Sequence, residues 1–235
     1  MTHYHDSFEK DAFTTSGGQL EITFIGRSAL IFQFQEKILH VDPIMQEADY
    51  RQLPKADLIL ITHEHHDHFD LNAIEAIKKS STEIVCPKIC AEKLEDYRII
   101  NNNENIELKS FFIESVPAYN IVHMRDGNTP FHPKGNGNGY IITFANTRVY
   151  VAGDTENIPE IKKIKNIDIA FLPMNVPVTM SPEMVYDVII SIKPKIFYPY
   201  HYGDTAMKWG ETDPNTIVEM LKDLNEVDVR IRNMK

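Results

Sequence analysis

The segment Thr62-His63-Glu64-His65-His66-Asp67-His68 constrains this chain more than any other, because it stands where an apolar run stops. The run Leu58 to Ile61 reads as a strand buried on both faces. The stretch Leu71 to Lys79 that follows predicts a helix with Leu71, Ile74 and Ile77 on one stripe. The chain has 10 histidines, and four of them fall in these seven residues at a strand exit. A solvated polar loop is the competing reading, and the density of imidazole argues against it. Imidazole and carboxylate are ligands that zinc prefers, and a turn leaving a strand can aim alternate side chains at one point and the next ones at a second. His63 and His65 are therefore expected to hold one metal, and Asp67 and His68 the other.

The flanking sequence uses one plan twice. Leu20 to Asp42 carries three β-rich runs with turns at Gly26 and Glu36-Lys37, a meander leading into the Leu58 strand. In the second half, Gly139 to Phe144 and Arg148 to Ala152 predict a hairpin around Ala145-Asn146, and Asp168 to Leu172 another strand. Ser181-Pro182 then opens a helix to about Ser191, and Lys195 to Tyr198 is a further strand. Two halves of meander plus βαβ predict an α+β four-layer αββα sandwich, since each sheet carries helices on one face and must bury the other. At 235 residues with 43% hydrophobic and 25% charged side chains, one domain spanning 1–235 suffices.

Charge and cysteine usage narrow the partners. A net charge of -10 disfavours a phosphodiester backbone, so nucleic acid is not expected and a small-molecule substrate is. Cys86 and Cys90 lack a second Cys or His pair at zinc-finger spacing and read as reduced, buried thiols. The polar stretch Met1 to Gln19 lacks a signal-peptide core, and no segment approaches about 18 consecutive apolar residues, which predicts a cytoplasmic protein without membrane insertion.

His63-Glu64-His65-His66-Asp67-His68 resembles the H-x-H-x-D-H signature of the metallo-β-lactamase superfamily. Asp42 in Leu39-His40-Val41-Asp42-Pro43 looks like the family's early aspartate, Gly153-Asp154-Thr155 like its bridging-aspartate segment, and Pro199-Tyr200-His201-Tyr202-Gly203 like its last histidine. The resemblance implies a two-metal site of His63, His65, Asp67, His68, Asp154 and His201, with Asp42 supporting the metal loop without binding metal. Asp154 and His201 also follow apolar runs, at strand ends, and a bidentate carboxylate suits a bridge between two cations.

One position departs from the pattern. The family usually supplies a further histidine after a segment like Val116-Pro117-Ala118, and here Asn120 stands in its place. Three outcomes follow: Asn120 or a water fills the position, a histidine of the following loop swings in, or the first metal binds weakly. His132, held between Phe131 and Pro133, is favoured over His123 as a metal or substrate contact. Arg125 and Lys134 in that loop read either as contacts for an anionic substrate group or as solvated charges. Gly135-Asn136-Gly137-Asn138-Gly139 lacks the ending of a phosphate loop and reads as a flexible hairpin entrance.

The function expected from the resemblance is that of a metal-dependent hydrolase. It would use a hydroxide bridging two divalent metals, zinc first with manganese or iron as alternatives, with Asp67, Asp154 and His201 as catalytic residues. The second-half motifs look most like the branch with ascorbate-6-phosphate lactonase and N-acylphosphatidylethanolamine phospholipase D, which implies a small ester, lactone or phosphodiester as substrate. The alternative is a non-catalytic, single-metal binding or sensory protein that lost the third histidine.

Overall fold

A computed structural model describes residues 4–109, 111–203 and 211–235. The first sheet follows chain order: β1 (Glu9–Thr15), β2 (Gly18–Gly26), β3 (Ala29–Phe34), β4 (Lys37–Val41), β5 (Leu58–Leu60), β6 (Glu83–Cys86) and β7 (Arg98–Ile99). Helix α1 (Leu71–Ile77) connects β5 to β6, and the short α2 (Lys88–Ala91) precedes β7. The second sheet is built from β8 (Asn105–Leu108), β9 (Phe111–Ala118), β12 (Gly137–Phe144), β13 (Thr147–Val151), β14 (Ile169–Pro173), β15 (Ile196–Tyr200) and β16 (Asp228–Val229). Between β9 and β12 runs a separate hairpin, β10 (Met124–Asp126) and β11 (Thr129–Pro130). Helices α3 (Pro182–Ile192) and α4 (Asn215–Leu221) belong to the second half. Each sheet is antiparallel through four strands and parallel through the rest, so the expected duplication and α+β sandwich are present.

The layering follows from period-2 alternation. In β3, Leu30, Phe32 and Phe34 enter the core shared by the two sheets, while Ala29 and Ile31 face the layer that carries α1. In and after β5, Leu58 and Leu60 go to the shared core and Ile59 and Ile61 to the α1 side, which is why the run is apolar at every position. Aromatic rings close the interface: Phe32 and Phe144 stack at 5.5 Å, and Phe24 meets Tyr198 at 5.0 Å.

Helix α3 begins as expected, with Ser181 Oγ accepting from Met184 N at 3.3 Å and Pro182 in the first turn. It buries Val185, Val188, Ile189 and Ile192 and ends at Lys193 in the left-handed conformation. Helix α1 differs from expectation, stopping at Ile77 and burying Ala73, Ile74 and Ile77 while Leu71 is 44% exposed. Steps of three residues drift by about 60° each, so Leu71 stands about 120° round the helix from Ile77, whereas Ala73 stands about 40° from it.

The glycine-rich stretch also differs. Gly137, Asn138 and Gly139 lie inside the buried strand β12, paired with Ala118, Pro117 and Val116 of β9, and are not a flexible entrance. A Cβ on Gly139 would sit 2.5 Å from the Ala152 carbonyl oxygen, so the glycine lets two backbones approach closely. Several elements went unread from sequence: β1, β6, β7, β8, β9, the β10–β11 hairpin, β16, α2 and α4. Strand β1 is half exposed at the sheet edge, and β7 and β16 are two residues long, too short for a periodic signal.

Candidate metal centre

The carboxyl ends of β2, β4, β5, β9, β13 and β15 lie at one end of the sandwich, and the site residues read from the sequence come from the turns that leave them, except His132, which follows β11. Ligands in open α/β sheets gather at this end of the strands. Two donor clusters result: His63, His65 and His132, and Asp67, His68 and His201. Asp154 stands between them. Its Oδ2 is 3.3 Å from His132 Nε2, 3.6 Å from His201 Nε2 and 4.0 Å from His63 Nε2, and its Oδ1 is 3.4 Å from His68 Nε2.

The Nε2 atoms of His63, His68, His132 and His201, together with Asp154 Oδ1, are buried without hydrogen-bond partners. Buried polar groups left unpaired are costly, and five converging on one point are explained by a ligand that accepts lone pairs. Neutral imidazole with carboxylate is a donor set that fits a divalent transition metal, so the residues present suit such ions.

The opposite ring nitrogens are held from behind. His68 Nδ1 lies 2.8 Å from Asp42 Oδ2 and 3.0 Å from Ser28 Oγ, and His63 Nδ1 lies 3.0 Å from Thr62 Oγ1. Asp42 also accepts from Thr62 N at 2.8 Å and Thr62 Oγ1 at 2.6 Å, so one buried carboxylate fixes both ends of the metal loop. Asp42 and His201 hold left-handed backbone, with φ of 44° and 50°, a strain that residues with side chains carry at functional sites, while Gly153 before Asp154 takes φ 65° at no such cost.

Electrostatics keeps lone pairs available in the first cluster. Burial and the neighbouring His68 push His63 well below the ordinary histidine value, and burial with His132 brings His65 to about 4. In the second cluster burial works against His68, but Asp154 and Asp67 carry it upward. Burial likewise opposes ionisation of Asp154, and His201 and His68 hold its carboxyl well below the usual range.

The β-lactamase superfamily domain matches this sequence over residues 21–201. The chain belongs to this superfamily. A UPF0173 metal-dependent hydrolase of Nanoarchaeum equitans is 30% identical over 189 residues, which cover 78% of this chain and 84% of that one; a homologue in Thermococcus kodakarensis is 31% identical, covering 78% and 85%. The crystal structure of a candidate metal-dependent hydrolase of Parabacteroides distasonis is 45% identical, covers 97% of this chain and 100% of its own, and superposes with a TM-score of 0.89. A metallo hydrolase of Ignicoccus hospitalis, 22% identical with 92% and 95% coverage and a TM-score of 0.73, shares the fold. The protein is a metal-dependent hydrolase of the metallo-β-lactamase superfamily.

Within this superfamily pattern, Asn120 does not face the donor cluster. Its Oδ1 accepts from His132 N at 3.0 Å and lies 2.7 Å from His132 Nδ1, while its Nδ2 donates to the Val178 carbonyl at 3.0 Å. Both its polar ends are used in orienting His132, whose ring stands 5.0 Å from that of His63 and 4.8 Å from that of His65. His123 is drawn away to Glu156.

Glu156 is buried and accepts from the backbone N–H groups of Ile121, Val122 and His123 at 2.6, 2.6 and 2.8 Å, which pins the start of the 119–131 loop beside Asp154. Lys134 donates to Tyr119 Oη at 3.1 Å and Glu160 Oε1 at 2.9 Å, and Arg125 lies 5.8 Å over the Phe131 ring; both charges already have protein partners.

Sequence reasoning missed Ser28, Thr62 and Glu156 as supports, and Arg27, which donates to Asp67 Oδ2 at 3.1 Å. Thr62 and Glu156 sit beside motif residues, a signal that proximity alone offers. Nothing in the sequence links Arg27 and Ser28 to partners 40 residues on.

Proposed function

We propose that this hydrolase works with two divalent cations, His63, His65 and His132 holding one, Asp67, His68 and His201 the other, and Asp154 lying between them. The observation that carries the reading is the set of four partnerless buried imidazole Nε2 atoms around one buried carboxylate. When bound, such a pair, zinc by donor chemistry with manganese or iron as alternatives, would lower the pKa of a water to give hydroxide at neutral pH and would supply positive charge for a developing oxyanion.

The chain supplies placement. Asp67, with a side chain 19% exposed against 2% for Asp154, is the carboxylate that an incoming water would reach, and it would orient that water. Asp154 and His201 fix the spacing of the clusters. The substrate class we assign is a small ester, lactone or phosphodiester, approaching the donors past Glu64, Pro133 and Asn136, which line the same pocket. The net charge of -10 disfavours nucleic acid, and the cytoplasm is the proposed location; among the described residues no helix is long and apolar enough to cross a membrane. His132 beside Asp154, at 3.3 Å, offers the imidazole that Asn120 does not, which supports the two-metal reading over the single-metal or sensory alternative.

The test is elemental analysis of freshly purified protein together with hydrolysis of a chromogenic phosphodiester and a simple lactone. Close to two ions per chain, with turnover lost in His65→Ala and His132→Ala, is expected. One ion or fewer after reconstitution, with neither substrate cleaved, would return the protein to the binding class.

A further inference from the structure

We propose that Arg27 is a positioning residue that sets two donors of the second cluster, Asp67 and His201, from a single point; this rests on reading that cluster as a metal centre. The Arg27 side chain is 4% exposed, and its guanidinium donates from Nη1 to Asp67 Oδ2 at 3.1 Å. That same oxygen stands 3.5 Å from His201 Nε2 and 3.9 Å from His68 Nε2, so Arg27 grips the atom of Asp67 that faces the other two donors. Its own carbonyl accepts from His201 N at 3.1 Å. One residue of the first half thereby holds a carboxylate of its own half through the side chain and a histidine of the second half through the backbone.

The local build favours this role. Arg27 and His201 both adopt left-handed backbone, with φ of 51° and 50°, a conformation that side-chain-bearing residues avoid unless their surroundings impose it. Glu47 Oε1 lies 3.8 Å from Arg27 Nε on the guanidinium's other edge. A side chain on the preceding Gly26 would collide with that Glu47 carboxylate, so the glycine keeps the second anchor in place. A planar fork between two carboxylates is geometry that guanidinium provides and ammonium does not. The next residue, Ser28, lies 3.0 Å from His68 Nδ1, so the turn after β2 touches every member of the second cluster by hydrogen bond.

Without the guanidinium, Asp67 is free to rotate and the second cluster loses its preset geometry. The experiment titrates the full chain with Mn²⁺ and Zn²⁺ against a chromophoric chelator, resolving two equivalents, in wild type, Arg27→Gly and Arg27→Lys. Glycine keeps the left-handed turn and deletes the side chain; lysine keeps the charge without the fork. One of the two equivalents is expected to lose about 10–100-fold in affinity in Arg27→Gly, with the other within about twofold of wild type and Arg27→Lys in between. Thermal unfolding of the metal-free proteins separates this from damage to the fold. Both equivalents weakening in step with melting temperature, or neither changing, would overturn the role. If Arg27→Gly does not fold, Arg27→Lys decides by the same selective loss or its absence. A wild-type chain that takes up no ion overturns the metal-centre reading, and the role of Arg27 with it; a wild type with two ions and an unaffected Arg27 series overturns this role alone.

Discussion

Replacing Asn120 by histidine sets two views of this position against each other. If Asn120 occupied a ligand place, Asn120→His would complete the first cluster and tighten metal binding. In the structure Asn120 is 4% exposed and spends its carboxamide on three hydrogen bonds, two accepted from His132 and one donated to the Val178 carbonyl. An imidazole nitrogen has one in-plane lone pair and cannot accept from both His132 groups as the carbonyl oxygen does. One buried polar group left unpaired costs about 1–3 kcal/mol, and forcing a larger ring into a closed site adds about 1–3 kcal/mol. A loss of about 3 kcal/mol lowers the melting temperature of a chain this size by about 6–12 °C. Misorienting His132 should weaken the first cluster by about 10–100-fold. Calorimetric melting of the metal-free protein and chelator competition read the two effects. Tighter metal binding in Asn120→His at unchanged stability would refute the assignment of Asn120 as a support.

Two further outcomes test the scaffold. Gly139→Ala is expected to cost about 1–3 kcal/mol in denaturant unfolding, because the added methyl meets the Ala152 carbonyl at 2.5 Å; an unchanged midpoint would refute the close approach of β12 and β13 at this point. His40 is fully buried with Nε2 3.0 Å from the Pro54 carbonyl, and burial brings its pKa down to about 3. Its folded value lies below the unfolded one of about 6.5, so its stabilising share is full above about pH 6.5 and declines as pH falls toward 3, by up to about 1.4 kcal/mol per unit. Stability measured over that window should fall less steeply in His40→Gln, and equal slopes would show that His40 is not held neutral.

The sequence determined the elements and the donors that arise locally. Four histidines and an aspartate at the end of Leu58 to Ile61 needed only a strand and a turn, and the doubled order of meander and βαβ implied two sheets packed through their apolar faces. Ser181 and Pro182 marked the start of α3 because capping acts over one turn of chain. The rotation of α1 escaped the same reading because several apolar stripes satisfy a seven-residue helix, and contact with the sheet selects one. Gly137 to Gly139 read as loose chain because closeness of β12 to Ala152 is not a local property.

The third imidazole of the first cluster was decided by tertiary structure. Asn120 occupies the sequence position where a histidine was expected, and it turns its carboxamide to His132, 12 residues further on, so the imidazole beside His63 and His65 comes from another point of the chain. Arg27 carries no motif at all. Its meaning comes from strands β2 and β15 ending side by side in space, which places a guanidinium against Asp67 and a carbonyl against His201 although 174 residues separate Arg27 from that histidine. Side-chain chemistry is written in the sequence, but which groups share one buried point depends on how the two sheets close on each other.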